Sequence, residues 1–315
     1  MTSFLDSHPT GGAPVAWLFP GQGSQYVGMT SAWARASDCA RLALDEAADV
    51  LGFDLPGLMA DGPEADLNDT YNQQPAILAA SVAILRAALD ALPAPAFVAG
   101  HSLGEYSALV AAGAVGYPDA LRLVRERGRL MRLAGTRAPG RMAAVLGLDD
   151  AAVEAVCREV PGVQVANYNA PGQVVISGTI AGVETASARL KDAGARRIMP
   201  LPITIAAHSQ LMEPAADAFA PAIAEAPIGP AAVPLVANVS AQPIADAADI
   251  RRELADQLTA SVRWTQTIEG MAAAGVTAFY EIGPGRVLSG LVKRIVPAGG
   301  GAEPAIYSLD VPLGP

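Results

Sequence analysis

One stretch constrains the fold more than any other: Ala96 to Tyr106, which reads Ala-Phe-Val-Ala-Gly-His-Ser-Leu-Gly-Glu-Tyr. The apolar run Phe97-Val98-Ala99 fits a buried strand, and a helix-forming run extends from Glu105 to Ala114. Between them stands Gly100-His101-Ser102-Leu103-Gly104, so strand, G-x-S-x-G and helix follow in the order of a nucleophile elbow. Such a turn is sharp and strained. It needs small residues two before and two after the serine, where a Cβ would strike the adjoining strand or helix; Gly100 and Gly104 meet that need. The turn lifts Ser102 Oγ clear of the backbone. It also aims the Leu103 N–H, at the helix start, toward any oxyanion formed on an attacked carbonyl. Glycine is common here, at 31 of 315 residues, so the bare pattern also fits a plain glycine-rich turn. Its place between strand and helix favours the nucleophile.

A chain of this length has room for one large α/β domain with an appended or inserted unit. With 51% apolar and 17% charged residues it reads as a compact globular protein rather than a disordered one. The longest apolar run, Pro75 to Leu89, is interrupted by Arg86 and too short to span a bilayer. The first dozen residues lack the basic start and apolar stretch of a secretory signal, so a soluble cytoplasmic protein without a membrane partner is expected. Cys39 and Cys157 have no paired spacing, which supports neither a disulfide framework nor a zinc site, and no metal is expected. A formal charge of −10 argues against nucleic acid, whose phosphates need a basic face.

Along the chain, residues 1 to 13 read as a loose polar tail. Val15 to Phe19 is a buried strand ending in Pro20-Gly21-Gln22-Gly23-Ser24-Gln25. This loop fits neither G-x-G-x-x-G nor a P-loop. Two glycines flanking Gln22 instead allow its N–H to point into a site at the strand's carboxyl end. Helices are expected at Ser31 to Leu51 and Gln74 to Leu92, with turns at Gly57 to Asn72 between them, and again at Asp119 to Ala134. From about Arg137 to Ile205 the pattern changes: strand Arg141–Leu148, helix 149–159, strands 163–169 and 173–177, helix 181–193, strand 196–201. That βαββαβ order is ferredoxin-like. Afterwards come a helix at Leu211 to Ala226, a strand at Val233 to Val239, a helix at Ala247 to Ala260, a strand at Phe279 to Ile282 and a helix at Arg286 to Ile295. Strands alternating with helices imply a parallel sheet with its site at the carboxyl ends of the strands.

A serine nucleophile needs a base, normally histidine. The chain has three. His8 lies in the tail. His101 adjoins Ser102, and neighbours on an elbow point apart. His208, on the loop after the small unit, remains. No Asp or Glu stands in an orienting position, so a dyad is expected, with the second imidazole nitrogen held by a backbone carbonyl or an amide. Arg127 lies on the helix after the elbow, and its planar fork matches a carboxylate bidentately. Arg122, Arg125, Arg129 and Arg132 on the same helix read as a solvated basic face.

Taken together and in order, Pro20–Gln25, Gly100–Tyr106, Asn169-Ala170-Pro171-Gly172-Gln173, His208-Ser209 and Glu281-Ile282-Gly283-Pro284-Gly285, with the Arg127 spacing, carry a resemblance. Over about residues 14 to 296 the chain resembles the malonyl-CoA:acyl carrier protein transacylases and the acyltransferase domains of polyketide synthases. The resemblance implies a large hydrolase-like parallel-sheet α/β domain, residues 1–136 and 206–315, with an inserted ferredoxin-like domain at 137–205. It implies Ser102 as acylated nucleophile, His208 as base, an oxyanion hole from the Gln22 and Leu103 N–H groups, and Arg127 gripping the free carboxylate of a malonyl group. Gln257 matches the position whose carbonyl orients the histidine. Asn169, with His101 and Ala207, lines the mouth between the domains. Ala207 is a departure: malonyl-selective polyketide acyltransferases usually carry a bulky aromatic there, and stand-alone transacylases often a small residue, so the side facing a C2 substituent is expected to be roomy. The implied substrates are malonyl-CoA and a phosphopantetheinylated acyl carrier protein, with no bound cofactor. An acidic carrier would meet an acidic enzyme through a local basic patch, with Lys293 and Arg294, or Lys191, Arg196 and Arg197, as candidates. A thioester hydrolase, a trans-acting polyketide acyltransferase using a substituted malonyl group, and a catalytically silent docking protein are the rival readings. No long exposed apolar stripe stands out, so a monomer is expected.

Overall fold

Trp17 and Phe19 face one side of a sheet, Ala16 and Leu18 the other, and all four are buried. A strand covered on both faces is what a central parallel strand needs. The computed structural model describes residues 12–298 and 303–312. The described residues form ten strands: β1 (Val15–Phe19), β2 (Phe97–Gly100), β3 (Gly140–Leu146), β4 (Val163–Ala170), β5 (Gln173–Thr179), β6 (Arg197–Pro200), β7 (Leu235–Val236), β8 (Pro243–Ile244), β9 (Ala278–Glu281) and β10 (Ala305–Ser308). The larger sheet runs β10-β9-β1-β2-β7-β8; its first five strands are parallel, and β8 joins the edge antiparallel. Helices Thr70–Ala88 and Tyr117–Arg137 contribute to the core on the Trp17 face. Helices Trp264–Ala273 and Val287–Ala298 cover the Leu18 face.

The smaller sheet is antiparallel, in the order β4-β5-β3-β6, with helices Asp150–Glu159 and Ile180–Asp192 completing the expected βαββαβ unit. Its own apolar core includes Val145, Val153, Ile176 and Leu190. Strand β4 ties it to the loop between helices Ala247–Asp256 and Trp264–Ala273. Tyr168 N donates to Val262 O at 2.9 Å, Val262 N to Ala166 O at 2.8 Å, and Ser261 Oγ to Val165 O at 2.6 Å.

Several expectations are corrected. Ser31–Leu51 is two helices, Ser31–Ala36 and Asp38–Leu51, because Ser37 is extended and its hydroxyl caps the second. The turn-rich stretch from Gly57 to Asn72 holds the end of helix Leu55–Asp61, capped by Asp54, then helix Glu64–Asn68 and the start of Thr70–Ala88. The strand expected at Val233–Val239 shrinks to β7, since Ala237 N turns to Gln242 O and Asn238 is drawn into other bonds. The helix from Ala247 stops at Asp256. Strands β8 and β10 and helix Trp264–Ala273 had no counterpart in the sequence reading. His8 lies outside the described residues.

Strand β10 does more than extend the sheet edge. Just beyond it, Leu309 O accepts from Trp33 Nε1 at 2.9 Å, and Asp310 Oδ1 accepts from Tyr26 O–H at 2.7 Å and Gly285 N at 2.8 Å. Burial, then the Asp310 bond, push the Tyr26 phenol up to about 12. Among the described residues one helical stretch, Thr70–Ala91, is long and apolar enough to cross a membrane, and most of it is buried inside the fold.

Candidate active site

Strand β2 ends at Gly100 and helix Gly104–Ala111 begins four residues later. The reversal is so tight that a Cβ on Gly100 would lie 2.0 Å from the Gly104 carbonyl carbon. One on Gly104 would lie 2.1 Å from Phe19 O of β1. Glycine is required at both. Ser102 sits at the apex with φ of 51°, in the left-handed region that a non-glycine residue enters only under constraint. His208, at φ 57°, shares that strain.

Ser102 Oγ lies 2.8 Å from His208 Nε2, although 106 residues separate them. His208 Nδ1 donates to Gln257 O at 2.9 Å and Ala260 O at 3.1 Å. Those carbonyls are free because helix Ala247–Asp256 has already ended. Two acceptors at Nδ1 place the proton there, so Nε2 presents its lone pair to the serine hydroxyl. Burial, then the Arg127 charge, depress the imidazole to about 3, so His208 stays neutral at ordinary pH.

Arg127 is fully buried. Nη1 donates to Gln74 Oε1 at 2.9 Å, and Nη2 to Gln257 Oε1 at 3.0 Å and Ser102 Oγ at 3.3 Å. The guanidinium lies over the Tyr106 ring at 5.7 Å. Among the described residues every acceptor it contacts is neutral, so the desolvated cation beside the serine has no carboxylate in direct contact. Arg125 is not simply a solvated charge: it stacks on the Tyr71 ring at 3.3 Å and donates to Tyr71 O at 3.0 Å. Arg122, Arg129 and Arg132 pair with Asp119, Glu126 and Asp69 at the surface.

A cavity of about 500 Å³ opens over Ser102 and His208, between the two sheets. Gln22, His101, Asn169 and Ala207 line it, as do Met131, Met142 and Ile203. The side chain of Gln22 bonds to Gln73, and among the described residues the main-chain N–H groups of Gln22 and Leu103 have no hydrogen-bond acceptor. His101 Nε2 donates to Asn169 Oδ1 at 2.8 Å, joining the elbow to β4 across the cavity mouth. Burial lowers its pKa, and Asn169 occupies its nitrogen. Two amides of this site went unremarked in the sequence, Gln74 and Asn238; polar residues inside apolar runs were the available signal. Lys293 and Arg294 lie outside the cavity. Arg294 donates to Pro171 O at 3.3 Å and to the Gln173 side chain, so it is engaged by the β4–β5 turn. Lys191 lines a separate surface groove with Arg141 and Glu184. No group of three acidic, His or Cys side chains suited to a metal occurs among the described residues.

Comparison with known proteins agrees with this geometry. The family described as acyl transferase domain matches residues 16–303. The malonyl CoA-acyl carrier protein transacylase of Escherichia coli strain K12 is 47% identical over 285 residues, covering 89% of this chain and 92% of that protein. A solved type II PKS acyl-carrier protein in complex with its malonyl-transacylase aligns with a TM-score of 0.91 at 43% identity, covering 95% of this chain and 97% of the other. The acyl carrier protein S-malonyltransferase of Vibrio cholerae gives 0.89 at 44% identity, covering 94% and 96%. Fold, site and relatives converge, and the chain belongs to the acyl transferase domain family.

Proposed function

We propose that the protein moves a malonyl-type acyl group from coenzyme A to the phosphopantetheine thiol of an acyl carrier protein, through an ester on Ser102. The observation that carries this reading is the buried Arg127, without a carboxylate partner, 3.3 Å from Ser102 Oγ. His208 Nε2 takes the hydroxyl proton as Oγ attacks the thioester carbonyl. The oxyanion is met by the N–H groups of Gln22 and Leu103. The C–S bond then breaks, the departing thiolate takes the proton from His208, and the acyl group remains on Ser102. In the second half the carrier thiol gives its proton to His208 and attacks the ester, restoring the serine. One site serves both halves, so kinetics are ping-pong.

Arg127 would bind the acyl carboxylate in a bidentate pair. A general thioester hydrolase has no use for such a clamp. Gln257 fixes the histidine tautomer through its carbonyl, and Asn169 and His101 shape the entrance. The small side chain of Ala207 leaves room for a substituent at C2, which favours tolerance of substituted malonyl groups as the second reading.

The chain is divided, on this reading, into a catalytic part at 1–136 and 206–315 and an inserted part at 137–205, with the cavity between them. The names of the relatives support an acyl carrier protein as partner, and Lys293 with Arg294 would receive its acidic surface. We further infer a cytoplasmic monomer and, from the family resemblance, no bound cofactor, the chemistry being supplied by Ser102 and His208. The test is intact mass after mixing with malonyl-CoA. The expected result is a malonyl adduct on the wild type and none on Ser102→Ala. Release of free acid without an adduct would indicate a hydrolase, and no reaction a docking protein.

A further inference from the structure

Beneath the elbow lies a buried carboxyl group that the reaction does not touch. Glu105 Oε1 accepts from Asn238 N and from Asn238 Nδ2, each at 2.9 Å, and Oε2 accepts from Gln257 Nε2. Both amides reach onward to the main chain of the strained serine. Asn238 Oδ1 accepts from Ser102 N at 2.7 Å, while Asn238 Nδ2 also donates to Gly100 O at 2.7 Å. Gln257 Nε2 donates to Ser102 O at 3.0 Å, which turns Gln257 Oε1 toward Arg127 Nη2. The strained Ser102 main chain is thus held at its N–H by the Asn238 side chain, and at its C=O by the Gln257 side chain together with Glu105 N at 3.0 Å.

We propose that Glu105 is a positioning residue that sets the orientation of the Asn238 and Gln257 amides, and through them holds the Ser102 main chain and aims Arg127. A primary amide has nearly the same shape either way round, so only its hydrogen-bond partners decide its orientation. Glu105 meets three N–H groups with acceptor oxygens, which admits one orientation of each amide. Were the Gln257 amide reversed, its NH2 would face the guanidinium of Arg127 and its oxygen would face Ser102 O. Both contacts would be repulsive. Glu253, whose Oε1 accepts from Val239 N at 2.8 Å, holds the same backbone segment from the next residue. Burial above all raises both carboxyls over their ordinary range, with repulsion from Glu253 adding to it at Glu105 and repulsion from Asp256 adding to it at Glu253.

The inference rests on the reading of Arg127 as the carboxylate clamp, and the experiment separates the two. Glu105→Gln keeps size and shape but replaces one acceptor oxygen by a donor. Oε1 receives two N–H groups, so the new NH2 is forced against Gln257 Nε2 and reverses that amide. The measurement is kcat/KM for Ser102 acylation by malonyl-CoA and by acetyl-CoA, with thermal melting to confirm folding. The expected result is a fall in the malonyl-to-acetyl ratio of about 10-fold, the scale of one lost charge-assisted bond. A merely structural role lowers both rates together and leaves the ratio intact, and that outcome overturns the proposal. Should Glu105→Gln not fold, Gln257→Met removes the same link while keeping the main-chain carbonyl bound to His208. It should lower the ratio likewise, and an unchanged ratio there also overturns the proposal. If the wild type itself shows no preference for malonyl-CoA, it is the clamp reading of Arg127 that fails.

Discussion

Arg127 Nη1 donates to Gln74 Oε1 at 2.9 Å, so the buried cation rests on a neutral amide instead of an acid. A carboxylate in that place would neutralise the guanidinium permanently. The amide satisfies its hydrogen bond and leaves the guanidinium without a contacting acid among the described residues, ready for an anionic acyl group. Acetyl-CoA leaves the cation unpaired, and a discrimination on the order of 100-fold is expected against it. Arg127→Ala should reduce kcat/KM for malonyl-CoA sharply while acetyl transfer stays level or rises. If both substrates lose the same factor, the arginine is structural.

His208→Ala should slow acylation by roughly 100-fold or more, the scale of a positioned general base. The pH dependence follows from the depressed imidazole. Its folded value is about 3 against an ordinary 6.5, so lowering the pH from 8 to 5 should leave the base neutral and single-turnover acylation nearly flat. The sign for stability is opposite in usefulness: between 6.5 and 3 the unfolded chain binds a proton that the folded one refuses, so this group weakens folding as pH falls. An acylation limb centred near 6.5 would contradict the geometry.

Gly100→Ala places a methyl group 2.0 Å from the Gly104 backbone, where no flexible side chain can yield. The cost is expected at about 3 kcal/mol, the upper range of overpacking, with a fall in Tm of about 5 °C. A variant melting with the wild type would mean that the elbow opens without difficulty.

Lys293 and Arg294 are adjacent but differ in attachment, since Arg294 holds the β4–β5 turn. Lys293→Glu should raise KM for the carrier protein about 5-fold, with malonyl-CoA acylation unchanged. If KM for the carrier does not move, docking occurs on another face.

The legibility of this chain divides by range. The elbow was readable because its demands are local: glycine, serine and glycine within five residues. The βαββαβ unit was readable because its strands and helices alternate with clear turns. Strand β10 was not, since four residues pairing with β9 carry no signature of their own. Helix 31–51 was over-extended because the break at Ser37 is a single capping serine. At the site, Gln74, Asn238 and the buried role of Glu105 escaped notice for one reason. Their partners lie far away in sequence, 53 residues for Gln74 and Arg127 and 133 for Glu105 and Asn238, so nothing nearby marks them.

The contacts beyond β10 set an order of events in biosynthesis. Tyr26 and Trp33 are made 284 and 276 residues before the partners Asp310 and Leu309 that hold them. The loop carrying Gln22 therefore leaves the ribosome well before the segment that supports its neighbours Tyr26 and Trp33. A chain halted at residue 304 is expected to have both sheets' remaining strands and the Ser102–His208 pair, yet to acylate poorly with malonyl-CoA; full labelling of such a chain would refute this. Competence for the reaction is thus expected to wait on residues 309 and 310, and a copy still short of them to take up malonyl groups poorly while it is being made.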